Sequence, residues 1–219
     1  MTERMEPSPP QENADQPIVF VVDDDASMRR ALTNLFESVG LKVEAFGSAP
    51  QLLQAKPPQV PSCLVLDIRL PGASGLDLQS DLAKANIHTP IIFITGHADI
   101  PMTVRAMKGG AIDFLTKPVE AEVLLAAVLR GIRDDAQERE RRGRQQLAEQ
   151  HYACLTPRER EVLPHILAGR LNKQIAADLG ISLKTTKVHR SRIMQKFGVR
   201  SVAGLVRAAE QAHVEPEHA

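Results

Sequence analysis

Cysteine is scarce in this chain of 219 residues: Cys63 and Cys154 are its only two. They stand far apart, in no metal-ligand spacing and no disulfide pattern. That excludes a cystine-stapled secreted scaffold and fits a reduced cytoplasm, where buried or incidental thiols are commoner than a redox-sensing pair. Long apolar runs are missing too. The aliphatic and aromatic run from Ile18 to Val22 is five residues long, far short of a membrane span. Residues 1–16 are acidic and proline-rich with no apolar stretch, which excludes a secretory signal there and reads as a disordered leader. Net charge is also absent, at +0 overall.

That zero conceals an asymmetry. Residues 1–133 hold 12 Lys and Arg against 16 Asp and Glu, a net of −4, whereas residues 151–212 hold 11 against 4, a net of +7. A basic C-terminal third on an otherwise acidic chain points to a nucleic-acid-binding module joined to something else. The length suits two domains, each able to bury its own core.

From residue 17 to about 133, short apolar runs alternate with helical spacing. The runs are IVFVV (18–22), KVEAF (42–46), CLVLDI (63–68), IIFIT (91–95) and AIDFL (111–115). The first, third and fourth are nearly continuous in apolar residues, as parallel strands covered on both faces must be. Between them, Met28, Leu32, Leu35, Phe36 and Val39 form one helical stripe closed by Gly40, and Val119, Val123, Leu124, Ala127 and Val128 form another. Five strand-then-helix repeats predict an α/β fold with a doubly wound, five-stranded parallel sheet. Its ligand site belongs at the carboxyl ends of the strands.

Residues 134–152 are almost wholly charged or polar and read as a helical, solvated linker, with a coiled-coil-like dimer contact as the alternative. Beyond it the chain is helical throughout and predicts a small all-α domain of four helices. Thr156-Pro157-Arg158-Glu159 is a capping box with Pro at the first helical position. Pro164 lies inside that first helix and is expected to bend it. Asn172 is the expected cap of a second helix ending at Gly180, and Ser182 of a third running to about Phe197. Two short helices joined by a glycine-containing turn form a helix-turn-helix.

The chemistry-bearing residues fall at strand ends. Asp23, Asp24 and Asp25 follow the first strand and Asp67 closes the third. An Asp that caps the next helix accounts for one or two of these, but not for the pairing with Asp67. Carboxylates held that close repel one another unless a cation intervenes, and a hard divalent ion such as Mg2+ answers the need. Thr95 closes the fourth strand and Lys117 follows the fifth, ahead of Pro118 and at a bond open to the cis form. An ammonium and a hydroxyl beside that cluster suit a phosphoryl group on Asp67.

The strings VFVVDDDASMRRAL, DIRLPGASGLDL and FITGHADIPMTVRAMKGGAIDFLTKPV together resemble the receiver domain of two-component response regulators. The resemblance implies that Asp67 is the phospho-acceptor, with Asp23, Asp24 and the backbone carbonyl of Arg69 completing a Mg2+ site and Asp25 serving as a helix cap. It also implies that Thr95 and Phe114 move together when Asp67 is phosphorylated. Many relatives have tyrosine where this chain has Phe114, so the ring is kept and the hydroxyl hydrogen bond is lost. His97 and His88 read as surface residues.

The C-terminal string LTPREREVLPHILAGRLNKQIAADLGISLKTTKVHRSRIMQKFGVRS resembles the four-helix DNA-binding domain of NarL/FixJ (LuxR-type) regulators, and the receiver wording is closest to the FixJ branch. The implied layout is a leader (1–16), receiver (17–133), helical linker (134–152), DNA-binding domain (153–212) and tail (213–219). The helix from about residue 183 would enter the major groove. Lys187, Val188 and Ser191 would face base edges, flanked by Thr185 and Arg190, while Asn172, Lys173, His189 and Arg192 would meet phosphates. A valine at helical spacing is more often core than contact, so Val188 carries least weight.

The resemblance therefore implies a phosphorylation-dependent transcription regulator, an activator by the habit of the class. Its partners would be a sensor histidine kinase, promoter DNA and RNA polymerase, with homodimerisation or release of the DNA-binding domain as the step that phosphorylation controls. Two rivals stand against it: a degenerate receiver that binds DNA without phosphorylation, and a phosphohydrolase using Asp67 as nucleophile. The intact set Asp23, Asp24, Asp67, Thr95 and Lys117 opposes the first. Asp67-Ile68-Arg69 opposes the second, because no second acid stands two residues on, and the expectation is a non-enzyme.

Overall fold

The computed structural model describes residues 16–55, 58–97 and 99–214, so residues 1–15 of the expected leader and 215–219 of the expected tail lie outside the described residues. The chain divides into two compact units, residues 1–139 and 140–219.

The first unit runs β1 (Ile18–Val22), α1 (Ala26–Ser38), β2 (Lys42–Phe46), α2 (Ala49–Gln54), β3 (Ser62–Asp67), a small antiparallel pair β4 (Arg69–Leu70) and β5 (Ala73–Ser74), α3 (Gly75–Lys84), β6 (Ile91–Thr95), α4 (Ile100–Lys108), β7 (Asp113–Thr116) and the start of α5 (Ala121–Ala153). The large sheet has the order β2-β1-β3-β6-β7, parallel throughout. Alternate strand residues feed opposite faces. Phe20, Val22, Leu64, Leu66 and Phe93 join Leu76, Leu78, Leu82 and Ala106 in one buried layer. Val19, Val21, Cys63, Val65, Ile92 and Ile94 join Leu32, Phe36, Leu124 and Val128 in the other. This two-sided burial is why those strand sequences are continuously apolar. It also holds the Cys63 thiol protonated, since burial pushes its pKa far up.

Two expectations need adjusting. Val39 is the C-cap of α1 and 51% exposed, because the helix has ended and its side chain has left the stripe. Val123 is 45% exposed. Leu124, Ala127 and Val128 share the buried face, and at 100° per residue Val123 stands to one side of it. The expected linker helix over 134–152 is continuous with the last helix of the first unit. α5 continues to Ala153, and its residues to Arg139 belong to the first unit.

Asp135 explains that extension. Only 5% exposed, it accepts hydrogen bonds from the Ser62 N–H (2.8 Å), the Ser62 hydroxyl (3.2 Å) and Arg139 Nε (2.7 Å). Arg139 Nη1 in turn donates to the Pro58 carbonyl at 3.1 Å. The carboxylate thus ties the first residue of β3 to a helix that composition alone assigns to solvent. Asp135→Ala should cost the first unit about 3 kcal/mol by leaving buried donors without an acceptor. Urea unfolding of the full chain checks this, and an unshifted receiver transition would refute it.

In the second unit the chain continues through α6 (Pro157–Leu167), α7 (Asn172–Asp178), α8 (Leu183–Lys196) and α9 (Val202–Gln211). Leu155, Val162, Leu163, Ile166, Ile175, Ile193, Phe197 and Leu205 form its core. The expected capping box is present: Thr156 Oγ1 accepts the Glu159 N–H, and Glu159 accepts the Thr156 N–H. α6 passes through Pro164 as one assigned helix. The N-cap of α7 is Leu171 rather than Asn172; Gln174 Oε1 folds back onto the Leu171 N–H at 2.8 Å, which leaves the Asn172 side chain for other partners. Gly180 joins α7 to α8 with φ +63°, a left-handed turn that a Cβ would strain. Val214, in the expected tail, packs against this core.

Candidate functional site

The order β2-β1-β3-β6-β7 reverses direction between β1 and β3, and ligands of doubly wound sheets bind outside the carboxyl ends of the strands at that point. Asp23 follows β1 there and Asp67 ends β3. Asp23, Asp24 and Asp67 each bring one carboxylate oxygen to within 4.8 Å of the other two. Such a hard, all-oxygen set is chemically suited to a small divalent cation. Asp25 stands apart as the cap of α1, accepting the Ser27 and Met28 N–H groups, and these bonds hold its carboxyl below the usual range.

Lys117 reaches into the cluster from the far end of β7. Its Nζ lies 2.7 Å from Asp23 Oδ2 and 2.5 Å from Asp67 Oδ2. Burial works to lower the Lys117 pKa, yet bonds and charge from the two carboxylates outweigh it and hold the ammonium above its ordinary value. The Lys117–Pro118 bond is cis. The Lys117 N–H also donates to the Thr95 carbonyl at 2.7 Å, which joins two of the expected residues through main chain.

Asp23 is fully buried, and burial raises its pKa despite Lys117 and the Asp25 N–H, which donates to Oδ1 at 2.8 Å. A carboxyl whose folded-state pKa is raised contributes stability below about pH 3.8 that is lost as pH climbs through the raised value. At pH 7 the charged form is therefore a strain on the metal-free fold. Asp23→Asn should raise the Tm in chelator while abolishing any stabilisation by added Mg2+, which thermal scans with and without the ion would report. A lower Tm in chelator would contradict the assignment.

The remaining expected residues are placed as follows. Thr95 is buried at the end of β6, its hydroxyl donating to the His97 carbonyl (3.2 Å) and accepting the His97 N–H (3.3 Å). Phe114 is half-buried, its ring 6.5 Å from that of Phe93. Arg69 donates its N–H to Asp67 Oδ1 at 2.9 Å. His97 and His88 are exposed. Residue type alone gave no signal for Gly75, where an added Cβ would fall 2.5 Å from the Asp67 carbonyl oxygen. Only glycine lets α3 begin so close to the acidic strand end.

On α8, Lys184, Lys187, Val188, Ser191 and Arg192 are exposed, as is Lys173 on α7. Val188 is thus a surface residue. Thr185 is engaged locally, its N–H and hydroxyl meeting Ser182 Oγ at 3.0 and 2.8 Å. Arg190 Nη1 donates to Asn172 Oδ1 at 3.2 Å, which ties α8 to α7. His189 is half-buried, and its Nδ1 has no hydrogen-bond partner among the described residues. Lys196 differs from the other lysines of α8: its Nζ donates to Glu159 Oε2 (2.7 Å) and to the Cys154 carbonyl (2.8 Å). Burial works to raise the Glu159 pKa, but Lys196 and the Thr156 bonds prevail and hold it below the usual range. That stabilisation is present above about pH 4.5 and fades on acidification. Lys196→Met should destabilise the second unit by about 2 kcal/mol by stranding a buried carboxylate. Thermal unfolding at pH 7 measures it, and an unchanged Tm would exclude the pairing.

An acidic strand-end site and a helix-turn-helix on one chain define a regulator in which a receiver governs a DNA-reading module. Residues 19–129 match the response regulator receiver domain, and residues 153–209 match the bacterial regulatory proteins of the luxR family. The chain is 54% identical over 201 residues to nodulation protein W of Bradyrhizobium diazoefficiens, covering 92% of this chain and 88% of that protein. Among solved structures, the response regulator StyR superposes with a TM-score of 0.83 at 50% identity, covering 90% of this chain and 99% of StyR. Full-length FixJ from B. japonicum gives 0.55 at 38% identity, covering 91% and 98%. The chain belongs to the FixJ-like two-component response regulators, transcription regulators that join a receiver to a LuxR-type DNA-binding domain. Among the described residues no helix is long and apolar enough to cross a membrane.

Proposed function

We propose that Asp67 accepts a phosphoryl group from the phosphohistidine of a sensor kinase, and that this modification controls promoter binding by the second unit. In the transfer the phosphorus–nitrogen bond of the phosphohistidine breaks and a phosphorus–oxygen bond forms to an Asp67 carboxylate oxygen. Asp23, Asp24 and Asp67, with the Arg69 carbonyl, would hold Mg2+, which supplies positive charge against the phosphoryl oxygens. Lys117 answers the remaining charge. Its present contact with both Asp23 and Asp67 is the observation that carries the reading, because an ammonium already seated on the acceptor needs no large movement to meet a phosphoryl oxygen. Thr95 exchanges its bonds to His97 for one to the phosphoryl group, and the Phe114 ring follows it inward.

The consequence is either dimerisation or release of the DNA-binding unit, so that two copies of α8 reach two half-sites. Lys187, Val188 and Ser191 read base edges; Lys173, Arg192, Asn172, Arg190, Thr185 and His189 position or support them. Activation through contact with RNA polymerase is the output. The chain is a phospho-acceptor rather than an enzyme with turnover on an external ester.

The full chain incubated with Mg2+ and acetyl phosphate should gain an acid-labile phosphate and bind its promoter at least about tenfold more tightly, a shift of 1.4 kcal/mol. Phosphate incorporation with no change in DNA affinity would defeat the regulatory half, and no incorporation would defeat the whole.

A further inference from the structure

The loop that presents Asp23 and Asp24 is held from beneath by a residue outside the acidic set. Arg29 sits on the second turn of α1, its own N–H bonded to the Asp25 carbonyl at 3.0 Å. Its Nη1 donates to the main-chain carbonyl of Asp23 at 2.7 Å and of Asp24 at 2.9 Å. The guanidinium also lies over Gly47, just past β2, where an added Cβ would meet Nη1 at 3.4 Å. The Phe46 carbonyl accepts the Asp23 N–H at 3.2 Å.

Two adjacent carboxylates repel each other, and their carbonyl oxygens here converge on one point. Lys117 meets the carboxylates of Asp23 and Asp67; the main-chain oxygens of Asp23 and Asp24 are met separately, by Arg29. Arg29 makes no bond to the carboxylate of Asp23 or Asp24. Because it is borne on a helix, its position is set by α1 and not by the loop it braces.

We propose that Arg29 is a positioning residue for the divalent-cation site: it fixes the Asp23–Asp24 backbone so that the two carboxylates are preset for the ion. This rests on the acidic site being a metal site, as argued above. Lysine is one bond shorter than arginine to its terminal nitrogen, so it keeps the charge but falls short of both carbonyls.

The test is Mn2+ binding to the full chain without phosphodonor, followed by electron paramagnetic resonance and calorimetry, with Tm in chelator measured beside it. Arg29→Met should weaken Mn2+ binding about tenfold, as loss of a group supporting a ligand does, and Arg29→Lys should recover little of it. Asp25→Ala, which removes the α1 cap and leaves the carbonyl brace, should lower Tm with little change in Mn2+ affinity. If Arg29→Met lowers Tm as Asp25→Ala does but binds Mn2+ like the wild type, Arg29 is structural only and the inference fails. The same holds if Arg29→Lys binds Mn2+ like the wild type while Arg29→Met does not, since charge and not reach would then be the cause. A wild-type chain that binds no Mn2+ overturns the metal site itself. Should Arg29→Met not fold, the Arg29→Lys comparison decides alone.

Discussion

Asp67→Asn is expected to eliminate phosphate incorporation from acetyl phosphate and, with it, every phosphodonor-dependent change in DNA affinity. An amide oxygen is too poor a nucleophile to accept the group, so the loss should be complete and not partial. The fold should survive, because Lys117 keeps its 2.7 Å contact with Asp23 and one carboxylate leaves a crowded cluster. The two quantities to measure are acid-labile phosphate per chain and promoter Kd with and without donor. Equal incorporation in wild type and variant would move the acceptor elsewhere. An Asp67→Asn chain that still responds to the donor in DNA binding would break the link between this residue and the output.

Lys187→Ala carries the second large effect. An exposed lysine of α8 that meets a base edge as proposed should, on truncation, cost about 1–3 kcal/mol, or roughly 5- to 150-fold in Kd, and relax the preference at one base pair. Lys173→Ala should instead weaken all DNA sequences alike and reduce the slope of log K against log salt by about 0.9. Lys196→Met provides the internal contrast. That lysine is committed to Glu159 and the Cys154 carbonyl, so its loss should lower stability and leave the salt slope alone. A salt-independent Kd, or a Lys187→Ala chain that binds like the wild type, would show that α8 is not the DNA-facing helix, and an unchanged slope in Lys173→Ala would remove Lys173 from the phosphate contacts.

The two faces of the receiver sheet were legible in IVFVV, CLVLDI and IIFIT because a strand covered on both sides has no polar positions to show. The strand-end acids were legible for a related reason. Capping explains one aspartate after a strand, and no packing rule explains the three carboxylates of Asp23, Asp24 and Asp67 converging from two strands. Less was visible wherever one residue type serves two purposes. Asp135 lies in a run of charge that composition assigns to solvent, yet it is buried on Ser62. Asn172 has the chemistry of a helix cap, but Gln174 performs that task and Asn172 turns to Arg190.

By itself the sequence determined the parallel sheet, the helix-turn-helix, the acidic set with Lys117, and the basic character of the last third. Each of these is written in local periodicity, in turn chemistry or in a count of charges. The tertiary structure alone decided which charged groups are free and which are spent. Lys187 and Lys196 stand nine positions apart on one helix and are alike as residues, but only Lys196 finds a buried carboxylate on α6. Arg29 reads as an ordinary helix cation until the fold brings the Asp23 and Asp24 carbonyls to its Nη1. A charge is assigned its work by what lies within about 3 Å of it, and that neighbourhood is made by residues distant in sequence.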